Sequence, residues 1–408
     1  MYGEIIAVGE EVLAGDVINS NAATISRMLS EIGVSCRFHS VVGDSIEDIT
    51  NQLKSAVKRS KVVVLCGGLG PTKDDLTKDA VAKFLNKELV EDSKLIEEIN
   101  KWYNHRGLTP TPNNYRQGMM IEGGISLVND NGTAPGVYIV AEGCHLFLLP
   151  GPPNELNPMM VDSVIPIIKP LVSSIIRSKT YKLVNIGESS AVTVLDDIME
   201  ACEDFIVAPY AKLREVHIKV TAIGEDANFL SQRIAKVDSI IYERLGEYVY
   251  SDNGDELIDV IISKLAADKM TVCTAESCTG GLIASSFVEK SGASSVYNEG
   301  FITYSNESKV RNLHVDKDLL DNYGAVSAEV AKAMAKGALE LTGVDYSISV
   351  TGIAGPTGGS DEKPVGLVYI GIGTPSNMYV YEHRFLGNRD KVRDQAAKHA
   401  LIHLWDLL

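Results

Sequence analysis

No apolar run in this 408-residue chain approaches the 18 residues of a membrane span. The chain enters a strand-like segment at once, Gly3-Glu4-Ile5-Ile6-Ala7-Val8-Gly9, with no basic leader. Neither export nor membrane embedding is expected. The six cysteines, at positions 36, 66, 144, 202, 273 and 278, include no C-x-x-C pair, and several sit in apolar runs such as Val62-Val63-Val64-Leu65-Cys66. They read as reduced core residues of a cytoplasmic protein. Basic charge is also scarce: 38 Lys and Arg stand against 54 Asp and Glu, a formal charge of -16. That argues against long nucleic acid held on a basic surface, and leaves room for a local basic pocket that takes a small phosphate ester.

What is present is ordinary for globular protein, 45% hydrophobic and 23% charged, and too long for one core, so two or three domains are expected. Ile5 to Val8 is a short buried-strand pattern, and helical spacing of Ile25, Met28, Leu29 and Ile32 follows. Ser35 to Val42 alternates as a strand, Ser45 to Arg59 is helix-like, and Val62 to Cys66 is a buried strand ending in Gly67-Gly68-Leu69-Gly70-Pro71-Thr72-Lys73-Asp74-Asp75. Two more strands, Val137 to Val140 and His145 to Leu149, lie beside Gly132-Thr133-Ala134-Pro135-Gly136 and Pro150-Gly151-Pro152-Pro153-Asn154-Glu155. Strands alternating with helices, with glycine turns at strand ends, indicate an α/β domain whose ligands sit at the carboxyl ends of its strands. From Lys179 to Tyr250 the texture changes to a small α+β spacer: a strand over Lys179 to Ile186, a helix over Ala191 to Ala201, a strand over Glu215 to Ala222 and a helix over Ala227 to Leu245. A turn-rich linker, Ser251 to Asp255, leads to a second α/β domain with helices at Ile258–Leu265, Leu282–Val288, Ala328–Thr342 and from Asn388 onward.

The last domain is organised around Met270 to Gly281. The β-branched run Met270-Thr271-Val272-Cys273 stops at Ala275-Glu276-Ser277-Cys278-Thr279, two glycines turn the chain, and an apolar helix begins at Leu282. Such a turn presents a small nucleophile beside the N–H groups of a helix N-terminus; the plainer alternative is that Ser277 and Thr279 cap the helix. Two further strand ends point to the same edge, Gly300 to Tyr304 and Tyr346 to Val350, the latter running into Thr351-Gly352-Ile353-Ala354-Gly355-Pro356. With Asn306 as N-cap, Lys309 falls in a first helical turn, where the dipole favours its neutral, proton-accepting form. A Ser277–Lys309 pair is the Ser-Lys form of nucleophilic catalysis, with Thr351 and backbone N–H groups available to the oxyanion. Cys278 is the stronger intrinsic nucleophile; successive residues leaving a strand point opposite ways, and its surroundings suit a small buried side chain. Arg389 and Arg393 open the final helix, where the dipole disfavours cations, so they either bind an anion such as a phosphate or pair with Asp390 or Glu382.

Thr274 to Gly281, Gly300 to Lys309, Thr351 to Pro356 and Gly387-Asn388-Arg389-Asp390-Lys391-Val392-Arg393 together closely resemble the CinA carboxyl-terminal domain, the nicotinamide-nucleotide amidase family, with Asn388 where Asp is commoner. Val8 to Gly15 with Ser20-Asn21, Gly67 to Thr77, Asn131 to Gly136 and Leu149 to Leu156 are similar to the molybdopterin-binding-like domain of the same family, Ser20 replacing the commoner Thr. The resemblance implies two α/β domains with mainly parallel sheets, over residues 1–170 and 253–408, joined by a small α+β, KH-like domain over 171–252. It implies hydrolysis of nicotinamide mononucleotide to nicotinate mononucleotide and ammonia behind, a metal-dependent ADP-ribose pyrophosphatase in front, and a homodimer. By motif position Ser277 would be the nucleophile and Lys309 and Tyr304 its proton-transfer partners. Thr351, Asn306 and an arginine of the final helix would bind or stabilise substrate, among the glycines Gly280, Gly281, Gly352 and Gly355.

In the first domain, Gly67, Gly68 and Gly70 let backbone N–H groups approach phosphates, with Asn21, Thr133 and Pro152 from the neighbouring motifs as further substrate contacts. Asp74 and Asp75, with Glu155 or Glu11, are the candidate oxygen ligands of a divalent cation, whereas serine-based amide hydrolysis behind needs no metal. Binding of a pterin or nucleotide without hydrolysis, as a regulatory or competence-associated module, is the alternative to catalysis.

Overall fold

A computed structural model describes residues 1–173, 175–200 and 205–408. Ala201 at the end of the expected spacer helix, and Cys202, lie outside the described residues. The chain divides into two compact units, Met1–Ser178 with Ala222–Arg233, and Lys179–Thr221 with Ile234–Leu408.

The first unit is built on a six-stranded sheet. Its strands are β1 (Tyr2–Val8), β2 (Ser35–Val42), β3 (Val62–Cys66), β6 (Ile125–Leu127), β7 (Gly136–Ala141) and β8 (Cys144–Leu149), in the order β2-β1-β3-β8-β7-β6; β4 (Leu89–Glu91) and β5 (Met119–Ile121) form a separate two-stranded ribbon. β2, β1, β3 and β8 are parallel, β7 runs antiparallel to β8, and β6 runs antiparallel to β7 and so in the common direction again. Side chains alternate between faces along each strand, so Ile6, Val63, Leu65 and Leu148 enter one core while Ile5, Val64, Phe147 and Leu149 enter the other. Both faces are covered by helices, and that is why these strands read as continuous apolar runs. Helix starts follow their capping side chains: Asn19 accepts from Ala22 N ahead of Ser20–Glu31, and Ser45 from Asp48 N ahead of Ile46–Arg59.

The middle segment carries a four-stranded sheet of β9 (Ile175–Leu183), β10 (Phe205–Lys212), β11 (Glu215–Gly224) and β12 (Val249–Ser251), ordered β10-β11-β9-β12. β9 starts and stops earlier than the expected Lys179 to Ile186, because the backbone turns left-handed at Asn185, with φ of 62°, and cannot continue as a strand there.

The last sheet contains β13 (Val272–Glu276), β14 (Tyr297–Ile302), β15 (Tyr346–Gly352), β16 (Leu367–Gly373) and β17 (Met378–Arg384), ordered β14-β13-β15-β16-β17. β14, β13 and β15 pair in parallel, β16 runs antiparallel to β15, and β17 runs antiparallel to β16, so β16 alone is reversed and four of the five strands end at the working edge. The fold is α/β with mainly parallel sheets and a small α+β insert, as expected. Val272, Ile348 and Ile370 pack under the final helix Arg389–Trp405, while Cys273 and Ala275 pack under Ala328–Thr342. The latter helix lies close to the sheet: Ser347 and Ser349 donate to its Ala335 and Ala331 carbonyls, and a side chain at Gly371 would collide with Ser349 and Ala331. No helix among the described residues is long and apolar enough to cross a membrane.

Candidate active sites

β13 ends at Glu276, and the next residue, Ser277, is nine-tenths buried in a turn fixed by its own N–H donating to Val350 O at 2.9 Å. Gly280 and Gly281 have φ of 64° and 99°, a left-handed stretch that glycine adopts without strain. The helix Leu282–Val288 then begins, and three of the N–H groups at its start are already taken. Glu276, fully buried, accepts from Gly281 N, Ile283 N and Ala284 N at 2.9, 3.3 and 2.8 Å. The expectation that this helix N-terminus receives a developing oxyanion is therefore corrected: an internal carboxylate occupies it and makes the turn rigid.

Lys309 is fully enclosed, and its Nζ lies 3.1 Å from Ser277 Oγ, 2.7 Å from Thr303 O and 3.2 Å from Tyr304 O. Burial pulls its pKa down to about 8. The N-cap of its helix is Ser305, which accepts from Ser308 N, and not Asn306; both residue types cap well, and the strand ending at Ile302 moved the start by one. Asn306 is consequently exposed and does not line the cleft above Ser277. That cleft, about 300 Å³, is bounded by Ser277, Cys278, Tyr304, Lys309, Thr351 and Arg389, with Gly352 and Gly355 in its floor loop.

The other expected residues take more specific parts. Thr351 is buried and its hydroxyl donates to Ala325 O at 2.7 Å, so its one proton is committed and it can only accept from a substrate. Tyr304 meets Lys309 through its carbonyl, while its phenol stands exposed at the rim, 3.5 Å from an Arg389 nitrogen. Arg389 also donates to Gly355 O at 2.8 Å. Arg393 instead holds the nucleophile turn, donating to Cys278 O and Thr279 O at 3.2 and 2.9 Å, with Asp390 3.9 Å away. The two arginines thus separate, one facing the cleft and one behind its wall. Glu382 pairs with Arg384, not with either of them. Cys278 is 5% exposed, and burial pushes its thiol up to about 12.

The first unit has a larger cleft, about 590 Å³, at the carboxyl ends of β1, β3 and β8. It is lined by Gly67, Gly68, Gly70, Thr133, Pro152 and all four expected carboxylates, Glu11, Asp74, Asp75 and Glu155, with Asp44, Trp102 and Gln117 besides. Gly67 is required for packing as well as approach, since a side chain there would strike the Val8 carbonyl. Asn21 stands off to the side, bracing the Gly151 carbonyl at 2.6 Å. The carboxylates are not gathered into a ready metal centre. Among the described residues, no three of these acids bring oxygens within 4.8 Å of one another. Asp75 is engaged by the Thr72 N–H and hydroxyl at 2.7 and 2.6 Å, and Glu155 by Asn129 at 2.6 Å. Asp75 thus serves the loop that carries it, and Glu155, on the helix Pro153–Met159, holds the Asn129 side chain. Asp44 is pushed up by burial and then by Glu11, Glu10 and Asp74, so negative charge is concentrated there and a cation would relieve it.

Three family models match this chain in succession. Residues 4–170 match one described as "Probable molybdopterin binding domain", 178–251 the damage-inducible protein CinA KH domain, and 254–408 the CinA C-terminal domain. A CinA-like protein of Kosmotoga olearia is 42% identical over 98% of this chain and 97% of its own length. The chain belongs to the CinA family. Among solved structures, the competence/damage inducible protein CihA from Agrobacterium tumefaciens shares 42% identity over 37% of this chain and 93% of that one, with a TM-score of 0.37. A CinA superfamily protein from Escherichia coli shares 37% over 37% and 88%, also at 0.37.

Within this CinA-family chain, sequence reasoning missed Glu276, because a lone glutamate at a strand end looks like surface charge until the helix is seen to fold back over it. It also missed Asp44, Trp102 and Gln117, which come from segments with no glycine signature. A second lysine, Lys78, is buried as well, with its pKa lowered to about 8 by burial; it donates to the carbonyls of Arg116, Gln117 and Met119 and so positions the turn that carries Gln117.

Proposed function

We propose that the last domain is a serine amidase that converts nicotinamide mononucleotide to nicotinate mononucleotide and ammonia, and that the first hydrolyses the diphosphate of ADP-ribose with a divalent metal. The observation that carries the amidase reading is the environment of Lys309. Two backbone carbonyls, of Thr303 and Tyr304, accept two of its N–H groups, so in the neutral amine the remaining position, toward Ser277 Oγ at 3.1 Å, is a lone pair. With its pKa near 8, about one lysine in ten is neutral at pH 7. Lys309 takes the Oγ proton as Oγ adds to the carboxamide carbon, then passes it to the departing nitrogen, which leaves as ammonia. Water, deprotonated by the same amine, cleaves the resulting ester to the carboxylate and returns the proton to Oγ. Arg389, in the cleft wall, is placed to hold the nucleotide phosphate, and a bound anion would offset its unfavourable position in the first turn of the final helix.

In the first domain the donor set suits a hard cation of magnesium type, which keeps several waters and is held by one or two carboxylates and the substrate's own phosphates. Asp74, Asp44 and Glu11 are the residues that would hold it, and the ion would supply charge neutralisation at the diphosphate. The remaining work falls to the chain: Gly67, Gly68 and Gly70 admit the phosphates to the backbone. The dispersed carboxylates also favour a second reading for this domain alone, in which it binds a pterin or nucleotide without cleaving it. One experiment separates these: incubation of the full chain with nicotinamide mononucleotide and with ADP-ribose, with and without chelator. Ammonia released in both conditions and AMP released only with metal support the two-site reading; no ammonia in either condition removes the amidase.

A further inference from the structure

Away from both clefts, three histidines meet where the final helix crosses the sheet edge. His399 and His403 are four apart on that helix and therefore share a face, and His383 comes from β17. Each offers a ring nitrogen, and these nitrogens lie within 4.8 Å of one another. We propose that His383, His399 and His403 form a structural binding site for a divalent first-row transition ion, with zinc as the type, that fastens the final helix to β17.

Three observations converge on it. The buried Nε2 of His399 has no hydrogen-bond partner, a cost that a packed aromatic cluster would leave uncompensated and that a bound ion would remove. The Nε2 atoms of His383 and His403 face each other at 2.8 Å, an arrangement that works without a metal only if one of them carries a proton. On metal binding that proton need not leave the protein, because a change of tautomer moves it to Nδ1 of its own ring. In His403 the Nδ1 lies 3.8 Å from Asp406 Oδ2, longer than a hydrogen bond but near enough for a small ring movement to make the carboxylate–histidine contact that orients a ligand ring from behind. Third, the rings are walled by aromatics: Tyr381 stacks on His403 at 3.7 Å, and Phe385 lies 5.1 Å from His383 and 5.2 Å from His399.

Burial holds His399 at about 3 and His403 at about 4, so at neutral pH both present the neutral imidazole that a metal requires. Four-coordinate zinc with nitrogen ligands sets its donors about 3.3 Å apart. The 2.8 Å pair must open by about half an ångström, and the third nitrogen, within 4.8 Å of the others, must close toward them. The nearby positive charge of Arg214, which contributes to the lowering at His383 and His399, opposes any cation and is partly engaged by Gln395 Oε1 at 2.6 Å. Three imidazoles select zinc, cobalt or nickel over magnesium, which prefers oxygen. From Arg389 to His399 is ten residues, about 15 Å of helix, so the ion would brace the helix and would not touch the amide being cleaved.

The test uses the untagged full-length protein, stripped with chelator, dialysed, and titrated with cobalt(II) in excess magnesium so that oxygen-rich sites are filled. The expected result is one equivalent of cobalt giving the strong visible absorption of a low-coordinate nitrogen-ligated ion, displaced by zinc. His403→Gln and His399→Gln should each lower the affinity at least about a hundredfold, and Asp406→Asn about tenfold. His383→Gln, on the strand, repeats the test without altering the helix, and near-ultraviolet circular dichroism confirms that each variant is folded. Absence of the band in the unaltered protein, or its persistence in folded His383→Gln and His403→Gln, overturns the proposal.

Discussion

The two α/β domains place their clefts at the same point, the carboxyl ends of parallel strands, and then furnish them in opposite ways. The last domain has its chemical groups in contact before any substrate arrives: Ser277 and Lys309 are 3.1 Å apart, nearly closed from solvent, with a turn stiffened by Glu276 below and Arg393 behind. The first domain has an open cleft twice the size, whose acids line it without converging. The difference is the one that the two proposed chemistries would require. A side-chain nucleophile and its base must be in hydrogen-bond reach to exchange a proton, so the fold assembles them in advance. A diphosphate brings its own oxygen ligands to a metal, so the protein side of such a site can remain incomplete.

The sharpest way to break the comparison is to remove the preassembled pair. Ser277→Ala and Lys309→Ala should each reduce ammonia release by at least about a hundredfold while leaving ADP-ribose cleavage unchanged. If Lys309→Ala keeps full amidase activity, the pair is structural and the domain's chemistry lies elsewhere. Chelation should do the converse, stopping ADP-ribose cleavage and sparing the amidase. Asp74→Asn should weaken the metal-dependent reaction about ten- to a hundredfold, the range for losing a charged partner. Asp75→Ala is expected to abolish it too, by releasing the Thr72 loop. Full pyrophosphatase activity in both folded variants would remove Asp74 and Asp75 from the site, whereas no ADP-ribose cleavage by the unaltered protein with metal present would leave the first domain as a binding module.

Arg389 and Arg393 sharpen the contrast within the last domain. With Arg389 facing the cleft, Arg389→Ala should erode the preference for mononucleotide over the dephosphorylated riboside by about ten- to a hundredfold. Arg393→Ala should slow both substrates alike, because Arg393 supports the turn and not the ligand. Equal turnover of nucleotide and riboside by the unaltered protein removes the phosphate clamp. The pH profile gives a smaller effect. With Lys309 as the proposed neutral base, kcat/KM for the amide should rise about tenfold between pH 7 and a plateau above its pKa of about 8. A profile flat across that interval would mean that Lys309 transfers no proton.

Much of this was legible in the chain itself, and the limits have physical causes. The strand-turn-helix at Ser277 could be read because β-branched residues, small polar residues and paired glycines specify local geometry within a dozen positions. The Thr351 hydroxyl could not, because its acceptor is the Ala325 carbonyl, 26 residues earlier and on a different element. Asn306 and Ser305 are equally good caps by type, and only the end of β14 decides between them. The acids of the first cleft come from four separate segments, two loops and two helix starts, and such motifs show that carboxylates reach one cleft without showing whether their oxygens meet. The histidine trio was missed although His399 and His403 have helical spacing, since the third member is on a strand and no glycine marks it.

The smallest predicted effect decides which neighbour is the nucleophile, and the comparison of preassembled groups rests on it. Ser277 and Cys278 both border the cleft, and the thiolate would be the better attacker. With its thiol held near 12, however, only about one Cys278 in 10⁵ is ionised at pH 7, against about one neutral Lys309 in ten. Cys278 also lacks a hydrogen-bonded base, whereas Ser277 has one at 3.1 Å. Its side chain contributes to the core beneath the turn, beside Ile283 and Phe287. Cys278→Ala should therefore keep the amidase and lose about 1 kcal/mol of stability, seen as a small downward shift in thermal unfolding. A folded Ser277→Ala protein that remains active and is inactivated by a thiol alkylating reagent would move the nucleophile to Cys278 and leave Lys309 as its counter-charge.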